Sequence, residues 1–199
     1  MKKNDVTAAL KALKRGEVVL YPTDTLYALG ADILNERAVR KVFDIKHRPY
    51  SIPLPVAVAS MHSMEQLAYL NTTAKKIIKH FLPGTLTIIV KKKPSVPDLV
   101  TSGQDNVAIR IPNNTIALQL LAHYGPLTVT SANLHTQQTL GIINDILMQL
   151  HTHDIPVCLD DGMHEGTPST IVDVTTLKLK VIRQGLITEQ QLQEAITHG

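Results

Sequence analysis

The chain has 199 residues, enough for one domain to bury a large hydrophobic core without disulfides or metal ions. Hydrophobic residues make up 44% of it and charged residues 19%, which excludes a disordered chain of low hydrophobicity. The net charge of +3 permits anionic ligands, but it is small for a protein that grips a nucleic acid through many phosphate contacts. We therefore predict a single domain over residues 1–199.

The sequence also indicates where the protein works. The single cysteine, Cys158, excludes an internal disulfide and fits a reducing compartment. The longest apolar runs, such as 86–90, are far shorter than the roughly 20 residues that a membrane-spanning helix needs. The basic start of the chain leads into an amphipathic segment over 7–13 and not into the apolar region of a signal peptide. We expect a cytoplasmic protein with no membrane contact.

The hydrophobic pattern predicts helices that alternate with strands. The first helix, over 5–15, ends at Gly16, a residue typical of helix C-caps, and the strand that follows, over 17–21, stops at Pro22. Residues 92–103 are predicted to form a loop. Further helices are predicted at 36–46, 63–69, 72–81, 115–123, 139–150 and 188–197. Further strands are predicted at 54–59, 86–90, 107–111, 127–130, 156–159, 170–174 and 180–183.

This order of elements favours an α/β fold. The late strands crowd together with few helices between them, which indicates a twisted mixed β-sheet with flanking helices and not a purely parallel sheet. No GxGxxG segment and no GxxxxGK[ST] segment occurs in the sequence. The standard dinucleotide and P-loop cradles are therefore excluded.

The first polar cluster lies in the segment YPTDTLYALG, residues 21–30, where a strand runs into a proline turn. Thr23, Asp24 and Thr25 follow the strand, and ligands bind at strand ends in α/β sheets. The alternative is a turn in which these side chains only satisfy local backbone groups. The spacing alone leaves both interpretations open.

The second cluster is Lys46-His47-Arg48-Pro49, with two cations at the end of a predicted helix. Cations are favoured at a helix C-terminus by the helix dipole, so a solvated cap is one interpretation. The other is a phosphate clamp, in which Lys46 supplies a point charge and Arg48 a fork of donors.

Other polar groups at predicted strand ends are individually weak signals, because turn formers and hydroxyls are common there. They are Pro83-Gly84-Thr85, Arg110, residues 128–133, Ser169-Thr170 and Arg183-Gln184-Gly185.

Taken in order, these segments resemble the YrdC-like family, whose enzymes make threonylcarbamoyl-AMP for the N6-threonylcarbamoyl modification of adenosine 37 in tRNA. The resemblance covers residues 16–185, nearly the whole chain, and implies a single YrdC-like domain. It is carried by YPTDTLYALG, KHRP, Pro53-Leu54, Pro83-Gly84, AIRIP around Arg110, TSAN at 130–133, STIVDV from Ser169 and RQG from Arg183.

The resemblance implies an L-threonylcarbamoyladenylate synthase, a nucleotidyltransferase that uses L-threonine, bicarbonate and ATP with Mg²⁺. Lys46 and Arg48 are the implied catalytic residues. The implied ATP-binding residues are Lys46, Arg48, Ser131, Asn133 and Arg183. The implied L-threonine-binding residues are Thr23, Thr25, Arg110 and Ser169. A separate threonylcarbamoyl transferase complex that acts on tRNA is the implied downstream partner.

The chain departs from the family pattern at four positions. Ala28 replaces a glycine, Ala57 a histidine that helps bind the amino acid in some members, and Thr85 and Gln184 each a proline. Ala28 and Ala57 bear on the amino-acid substrate more than on the fold. The chain also ends soon after its last predicted helix, as expected for a short form without the extra C-terminal domain of longer relatives.

Two alternatives remain open from the sequence. One is a non-catalytic protein that binds structured RNA, such as tRNA or double-stranded RNA, by its shape. The other is an enzyme that forms a carbamoyl adenylate from another substrate. A protein-bound metal is not expected, because His151 and His153 have no further ligands at zinc spacing and Asp160-Asp161-Gly162 is typical of a turn.

Overall fold

A computed structural model of the protein describes residues 5–151, 154–176 and 178–198. Within these ranges, helices and strands alternate along the chain. The helices are α1 (Val6–Lys14), α2 (Glu36–Lys46), α3 (Met61–Leu67), α4 (Thr72–Phe81), α5 (Asp98–Thr101), α6 (Thr115–Tyr124), α7 (Ile143–Leu150) and α8 (Glu189–His198). The strands are β1 (Val19–Tyr21), β2 (Ala28–Gly30), β3 (Val56–Ala57), β4 (Ala68–Tyr69), β5 (Leu86–Lys92), β6 (Asn106–Arg110), β7 (Leu127–Thr128), β8 (Thr130–Ser131), β9 (Val157–Cys158), β10 (Thr170–Asp173) and β11 (Lys180–Arg183).

Several helix starts are set by polar N-cap residues. In each case a side-chain oxygen accepts a hydrogen bond from the backbone N–H three residues further on, a contact that stabilises a helix by about 1 kcal/mol. These N-caps are Asp5, Asn35, Ser60, Asn71 and Asn114.

The end of α2 positions two cations. Its C-cap residue, His47, has a φ of 50° and lies in the left-handed region, so the chain turns sharply between Lys46 and Arg48. Asp44 and Phe43 accept the hydrogen bonds of the backbone N–H groups that follow α2. The side chains of Lys46 and Arg48 therefore lie in different surroundings.

The strands form two mixed sheets. The smaller sheet has the order β8-β2-β1-β9, and the larger has the order β11-β10-β5-β6-β3-β7, with β4 paired to β5. The pairs β1/β9, β5/β10 and β3/β6 are parallel, and the other pairs are antiparallel. The predicted mixed α/β fold is confirmed, and its strands divide between two sheets.

The apolar core has two parts. The larger part surrounds the strands of the big sheet and includes Phe43, Ile88 and Ile109, all completely buried. In the smaller part, α1 packs against both α6 and β1, and side chains such as Leu120 and Val19 are fully buried. Complete burial of such a side chain stabilises the fold by about 1.5–3 kcal/mol.

Local differences from the predicted elements have simple causes. Ala68 and Tyr69, predicted as helical, form β4 because they pair with β5. Strand β2 was not predicted, since three residues are too few to show a period, and the strand predicted over 127–130 divides into β7 and β8. Helix α7 begins at Ile143, later than the predicted residue 139, and a short helix, α5, lies inside the predicted loop.

Among the described residues, none of the helices combines the length and the apolar character that crossing a bilayer requires.

Candidate functional site

A cavity of about 260 Å³ is lined by residues from both sheets. The turn after β1 forms one side, and the ends of β5, β6, β10 and β11 form the other. Its wall is rich in hydroxyl groups and contains three arginines. The lining residues are Thr23, Thr25, Leu26, Tyr27, Ala28, Arg48, Pro55, Thr87, Arg110, Val129, Thr130, Ser131, Thr139, Pro168, Ser169, Ile171 and Arg183.

The turn after β1 is built around the hydroxyl of Thr23. Its Oγ1 donates to the carbonyl oxygen of Leu26 at 2.7 Å and accepts hydrogen bonds from the backbone N–H groups of Thr25 and Leu26. The Thr25 hydroxyl lies 3.0 Å from it. Thr23 therefore satisfies local backbone groups of the turn, one of the two interpretations that the sequence left open. The hydroxyl of Thr25 faces a second partner.

That partner is Arg110, the last residue of β6. Its Nη1 donates to Thr25 Oγ1 at 3.1 Å, and its Nη2 donates to Asp24 Oδ1 at 2.6 Å and to the Gly84 carbonyl oxygen at 3.2 Å. Burial lowers the pKa of Arg110, and the charge of Asp24 opposes that shift. Because an arginine stays protonated in proteins, the cavity keeps a positive charge at this point.

Arg48 supplies a second positive charge to the wall. Its Nε donates to the carbonyl oxygen of Ile52 at 3.0 Å and its Nη2 to that of Pro53 at 2.8 Å. These two contacts hold the guanidinium in one orientation, and burial lowers its pKa. Arg48 is placed to meet an anion in the cavity.

Lys46 lies behind the wall, with 1% of its surface exposed. Its ammonium group donates to the carbonyl oxygens of Ser131 and Asn133 and to Asn133 Oδ1. Burial, with a smaller contribution from Arg48, lowers the pKa of Lys46 from 10.5 to about 7. The structure therefore places Lys46 under the 130–133 turn and not among the lining residues.

Asn133 holds the same turn from within. Its Oδ1 accepts a hydrogen bond from Ser131 Oγ at 2.6 Å, and its Nδ2 donates to the carbonyl oxygens of Leu134 and Gln137 at 3.0 and 2.6 Å. Thr130 and Ser131 line the cavity, and Asn133 does not. The side chains of Lys46 and Asn133 together fix the backbone that presents Ser131.

Ser169 and Arg183 form a third group, at the ends of β10 and β11. Arg183 donates from Nε and Nη2 to the carbonyl oxygen of Ser169 at 3.1 and 2.9 Å, and from Nη2 to its Oγ at 3.2 Å. Ser169 Oγ also lies 2.8 Å from Thr87 Oγ1. Burial lowers the pKa of Arg183, and the charge of Arg110 adds to this shift, so these two arginines share one electrostatic environment.

The structure thus brings seven of the nine predicted site residues into one wall and places two behind it. The seven are Thr23, Thr25, Arg48, Arg110, Ser131, Ser169 and Arg183, and the two behind are Lys46 and Asn133. Their predicted contacts with ATP and L-threonine stay predictions.

Sequence reasoning missed several residues of the site. Thr87 is a β-branched residue in a strand, and nothing in its pattern distinguishes it from a packing residue. Asp24 was noticed only as part of a turn, although its carboxylate contacts Arg110. Gly166 lies so close to the backbone carbonyl of Thr25 that no Cβ fits there. These contacts join segments far apart in the sequence.

Tyr27 links the cavity to the segment that follows β9. Its hydroxyl donates to the carbonyl oxygen of Gly162 at 2.6 Å and accepts a hydrogen bond from the backbone N–H of Asp161 at 3.2 Å. The ring of His164 packs edge-on against Tyr27 at 4.6 Å, and His164 Nε2 lies 2.6 Å from Asp161 Oδ1. Segment 160–166 is therefore held against the turn that precedes β2, which contributes to the cavity wall.

The departures from the family pattern occupy different places. Ala28 lines the cavity, whereas Ala57 is completely buried in the smaller core and pairs in register with Arg110.

His151 is exposed at the end of α7, and His153 lies outside the described residues. Among the described residues, no group of three or more His, Cys, Asp or Glu side chains is arranged to hold a metal ion.

Comparison with known proteins agrees with this architecture. The sequence model of the Sua5/YciO/YrdC family, described as telomere recombination, matches residues 11–185. A relative from Methanocaldococcus jannaschii, provisionally named a threonylcarbamoyl-AMP synthase, is 41% identical over 183 residues, which cover 92% of this chain and 86% of the relative. The threonylcarbamoyl-AMP synthase of Bacillus subtilis is 34% identical over 200 residues, which cover 96% of this chain and 56% of the relative.

A solved structure gives the same result for the fold. The crystal structure of Pyrococcus abyssi Sua5 in complex with L-threonine superposes with a TM-score of 0.90 at 32% identity. The match covers 96% of this chain and 57% of that protein, so the chain spans little more than half of its length. Matching sequence segments, matching fold and a family model that spans most of the chain lead to one conclusion. The protein belongs to the Sua5/YciO/YrdC family.

Proposed function

We propose that this protein is an L-threonylcarbamoyladenylate synthase, a nucleotidyltransferase that makes threonylcarbamoyl-AMP and pyrophosphate from L-threonine, bicarbonate and ATP. The observation that carries the proposal is the cavity itself, in which Arg48, Arg110 and Arg183 converge with the hydroxyls of both sheets. Among the described residues, its wall contains no carboxylate. Relatives named for this activity and a Sua5 structure with bound L-threonine support the assignment.

The L-threonine subsite is proposed to lie at Arg110. The Nη1 atom donates one hydrogen to Thr25 and keeps a second for a ligand carboxylate, within the contacts of the described residues. Thr25 and Ser169 supply hydroxyls for the polar groups of the amino acid, and Thr23 fixes the turn that carries Thr25. The positive charge of Arg110 and the hydroxyls of Thr25 and Ser169 together match a small zwitterion that carries a hydroxyl of its own.

The ATP subsite is proposed to lie at Arg48, Arg183 and Ser131. In the described ranges of the chain, Arg48 and Arg183 donate only to carbonyl and hydroxyl oxygens, which leaves their positive charge for phosphates. Lys46 and Asn133 support this subsite from behind by holding the 130–133 turn.

We propose that Mg²⁺ enters with ATP. The wall offers hydroxyls and guanidinium groups, a set that fits an ion held mainly by phosphate oxygens and water. The ion would neutralise charge on the phosphates. The hydroxyl groups of Thr130 and Ser131 in the wall would offer oxygens to its water shell.

In the proposed reaction the amino group of L-threonine forms an N–C bond with CO2 derived from bicarbonate, and water and a proton are released. A carbamate oxygen then attacks the α-phosphorus of ATP, and the bond to the β-phosphate oxygen breaks to release pyrophosphate. Neither step needs a protein nucleophile. The arginines bring two anionic reactants together and stabilise the charge that moves to the leaving group.

The product would serve the N6-threonylcarbamoyl modification of adenosine 37 in tRNA, in the cytoplasm. A separate transferase complex would take the threonylcarbamoyl group to tRNA. Direct tRNA contact is not required for the reaction proposed for the cavity.

Threonine-dependent release of pyrophosphate tests the proposal. The purified protein is incubated with Mg-ATP, bicarbonate and L-threonine, and pyrophosphate is followed against a reaction without amino acid. Release only with L-threonine supports the proposal. Release with carbamoyl phosphate in place of threonine and bicarbonate would instead show a carbamoyl-adenylate enzyme, and strong salt-dependent RNA binding without turnover would show an RNA-binding protein.

A further inference from the structure

The ion pair of Asp24 and Arg110 joins the two sheets beside the cavity. Asp24 lies in the turn between β1 and β2 of the smaller sheet, and Arg110 ends β6 of the larger sheet. Oδ1 lies 2.6 Å from Nη2, and the two side chains are 10% and 5% exposed. The contact is therefore a nearly buried ion pair and not a surface one, which makes both its orientation and its charge matter more.

The pair leaves two polar atoms without partners. Among the described residues, Asp24 Oδ2 and Arg110 Nε are buried and make no hydrogen bond. A contact kept only for stability would be expected to satisfy these atoms, because an unpaired buried polar group is unfavourable by about 1–3 kcal/mol. The incomplete pairing points to a role that depends on the orientation of the Arg110 guanidinium.

Asp24 also makes Arg110 unlike the other two arginines of the cavity. Within the part of the chain that the structure describes, Arg48 and Arg183 donate only to carbonyl and hydroxyl oxygens, whereas Arg110 has a carboxylate on Nη2. The charge of Arg110 is thus largely balanced inside the protein. An arginine with its own counter-ion attracts a polyanion weakly, but it can still donate a directed hydrogen bond to a singly charged carboxylate.

From this geometry we infer that Asp24 is a positioning and specificity-determining residue. It fixes the guanidinium of Arg110 for the carboxylate of the amino-acid substrate and keeps phosphate groups off that arginine. Both hydrogens of Nη2 are used, one by Asp24 and one by Gly84, and Nε is buried, so the contacts of the described residues leave the second hydrogen of Nη1 for the ligand. The inference rests on the proposed function, because it assumes an amino acid at Arg110 and phosphates at Arg48 and Arg183.

Titration calorimetry with two separate probes, L-threonine and inorganic pyrophosphate, tests the inference. Asp24→Asn keeps an oxygen for Nη2 but removes the charge. We expect L-threonine to bind at least tenfold more weakly and pyrophosphate to bind at least threefold more tightly. A general structural defect would weaken both ligands, so opposite changes distinguish positioning from damage.

Three further variants complete the experiment. Asp24→Ser is a second neutral variant for the case that Asp24→Asn does not fold, and its smaller side chain leaves room for water beside Arg110. Asp24→Glu keeps the charge and should return both dissociation constants to within threefold of the wild-type values. Asp98→Asn removes an exposed carboxylate, which pairs with Lys92 away from the cavity, and should change neither dissociation constant.

The outcomes separate this inference from the proposed function. If the wild-type protein binds no L-threonine, the proposed function fails. If the wild-type protein binds L-threonine and a folded neutral variant binds both probes within twofold of it, the inference alone is overturned. An Asp24→Glu protein as weak for L-threonine as the neutral variants would also overturn it.

Discussion

The ammonium group of Lys46 lies 2.7 Å from the backbone carbonyl oxygen of Asn133, in the turn that presents Ser131 to the cavity. It also donates to the carbonyl oxygen of Ser131 and to Asn133 Oδ1, so all three of its hydrogens are used within the protein. A phosphate contact would require at least one of these bonds to be exchanged. Lys46 therefore stabilises the turn in this structure, and we expect any effect of Lys46 on the proposed ATP subsite to pass through Ser131.

Replacing Lys46 by methionine should destabilise the protein. The substitution removes the three hydrogen bonds that Lys46 donates, and we expect the free energy of unfolding to fall by about 1–3 kcal/mol. Urea denaturation measures the change. Lys75→Met, which removes only an exposed ion pair with Glu65, should alter stability by less than about 1 kcal/mol. Equal stabilities of the two variants would show that the contacts of Lys46 contribute little.

Stability should also depend on pH through Lys46. Its pKa is about 7 in the folded protein and 10.5 in the reference state, so between these values the unfolded chain binds more protons. Raising the pH through this window therefore increases the free energy of unfolding. The stability gained in this way is lost again as the pH falls towards 7. The stability of the wild-type protein relative to Lys46→Met should rise by up to about 1.4 kcal/mol per pH unit.

Urea denaturation of both proteins at several pH values between 7 and 10 checks this slope. Other groups titrate in the same way in both proteins, so the difference isolates Lys46. A difference that stays constant across the range would contradict the shifted pKa.

Arg48→Gln should reduce turnover while leaving the fold intact. Arg48 is the arginine that the turn after α2 brings to the wall, and loss of one such donor at a site of developing charge lowers the rate by about 100- to 1,000-fold. Threonine-dependent pyrophosphate release measures the effect. Arg40→Gln is the matched control, because Arg40 pairs with Glu36 on the surface of α2. A wild-type rate for Arg48→Gln would remove Arg48 from the proposed ATP subsite.

Gly166→Ala should impair the use of L-threonine. A Cβ at this position would collide with the backbone carbonyl of Thr25, and the turn after β1 would have to move. A displacement of about 1 Å can reduce the rate by about 100-fold, so we expect a higher KM for L-threonine and a lower kcat.

The control for this substitution is Gly103→Ala, where a Cβ meets no atom within 4 Å but φ is +75°. It should lower stability by about 1 kcal/mol through backbone strain and leave catalysis unchanged. A Gly166→Ala enzyme with wild-type kinetic constants would show that the 160–166 segment does not constrain Thr25.

The sequence predicted the long elements well, because their periods extend over enough residues to be recognised. Helices 36–46 and 72–81 begin and end where expected, and each has a polar N-cap. The short strand β2 was not predicted, and β8 was not distinguished from β7. β8 forms only because Leu29 and Ala28 offer it a partner, and such pairing is a property of the folded chain.

The site residues likewise divide into those that the sequence predicted and those that only the folded chain reveals. Arg48 and Ser169 were predicted from segments that resemble a known family, and the structure places both in the cavity wall. Asp24 and Thr87 were not predicted, because their roles arise from contacts with residues 86 and 82 positions away. The position of Lys46 behind the wall likewise depends on how the 130–133 turn packs over α2.

The most direct test of the account is the identity of the product made with isotopically labelled bicarbonate. The protein is incubated with L-threonine, Mg-ATP and ¹³C-bicarbonate, and nucleotide products are analysed by mass spectrometry. The account predicts an adduct of AMP, threonine and one carbonyl carbon that carries the label, together with pyrophosphate. Formation of AMP adducts without the label, or release of ADP and phosphate in place of pyrophosphate, would contradict it.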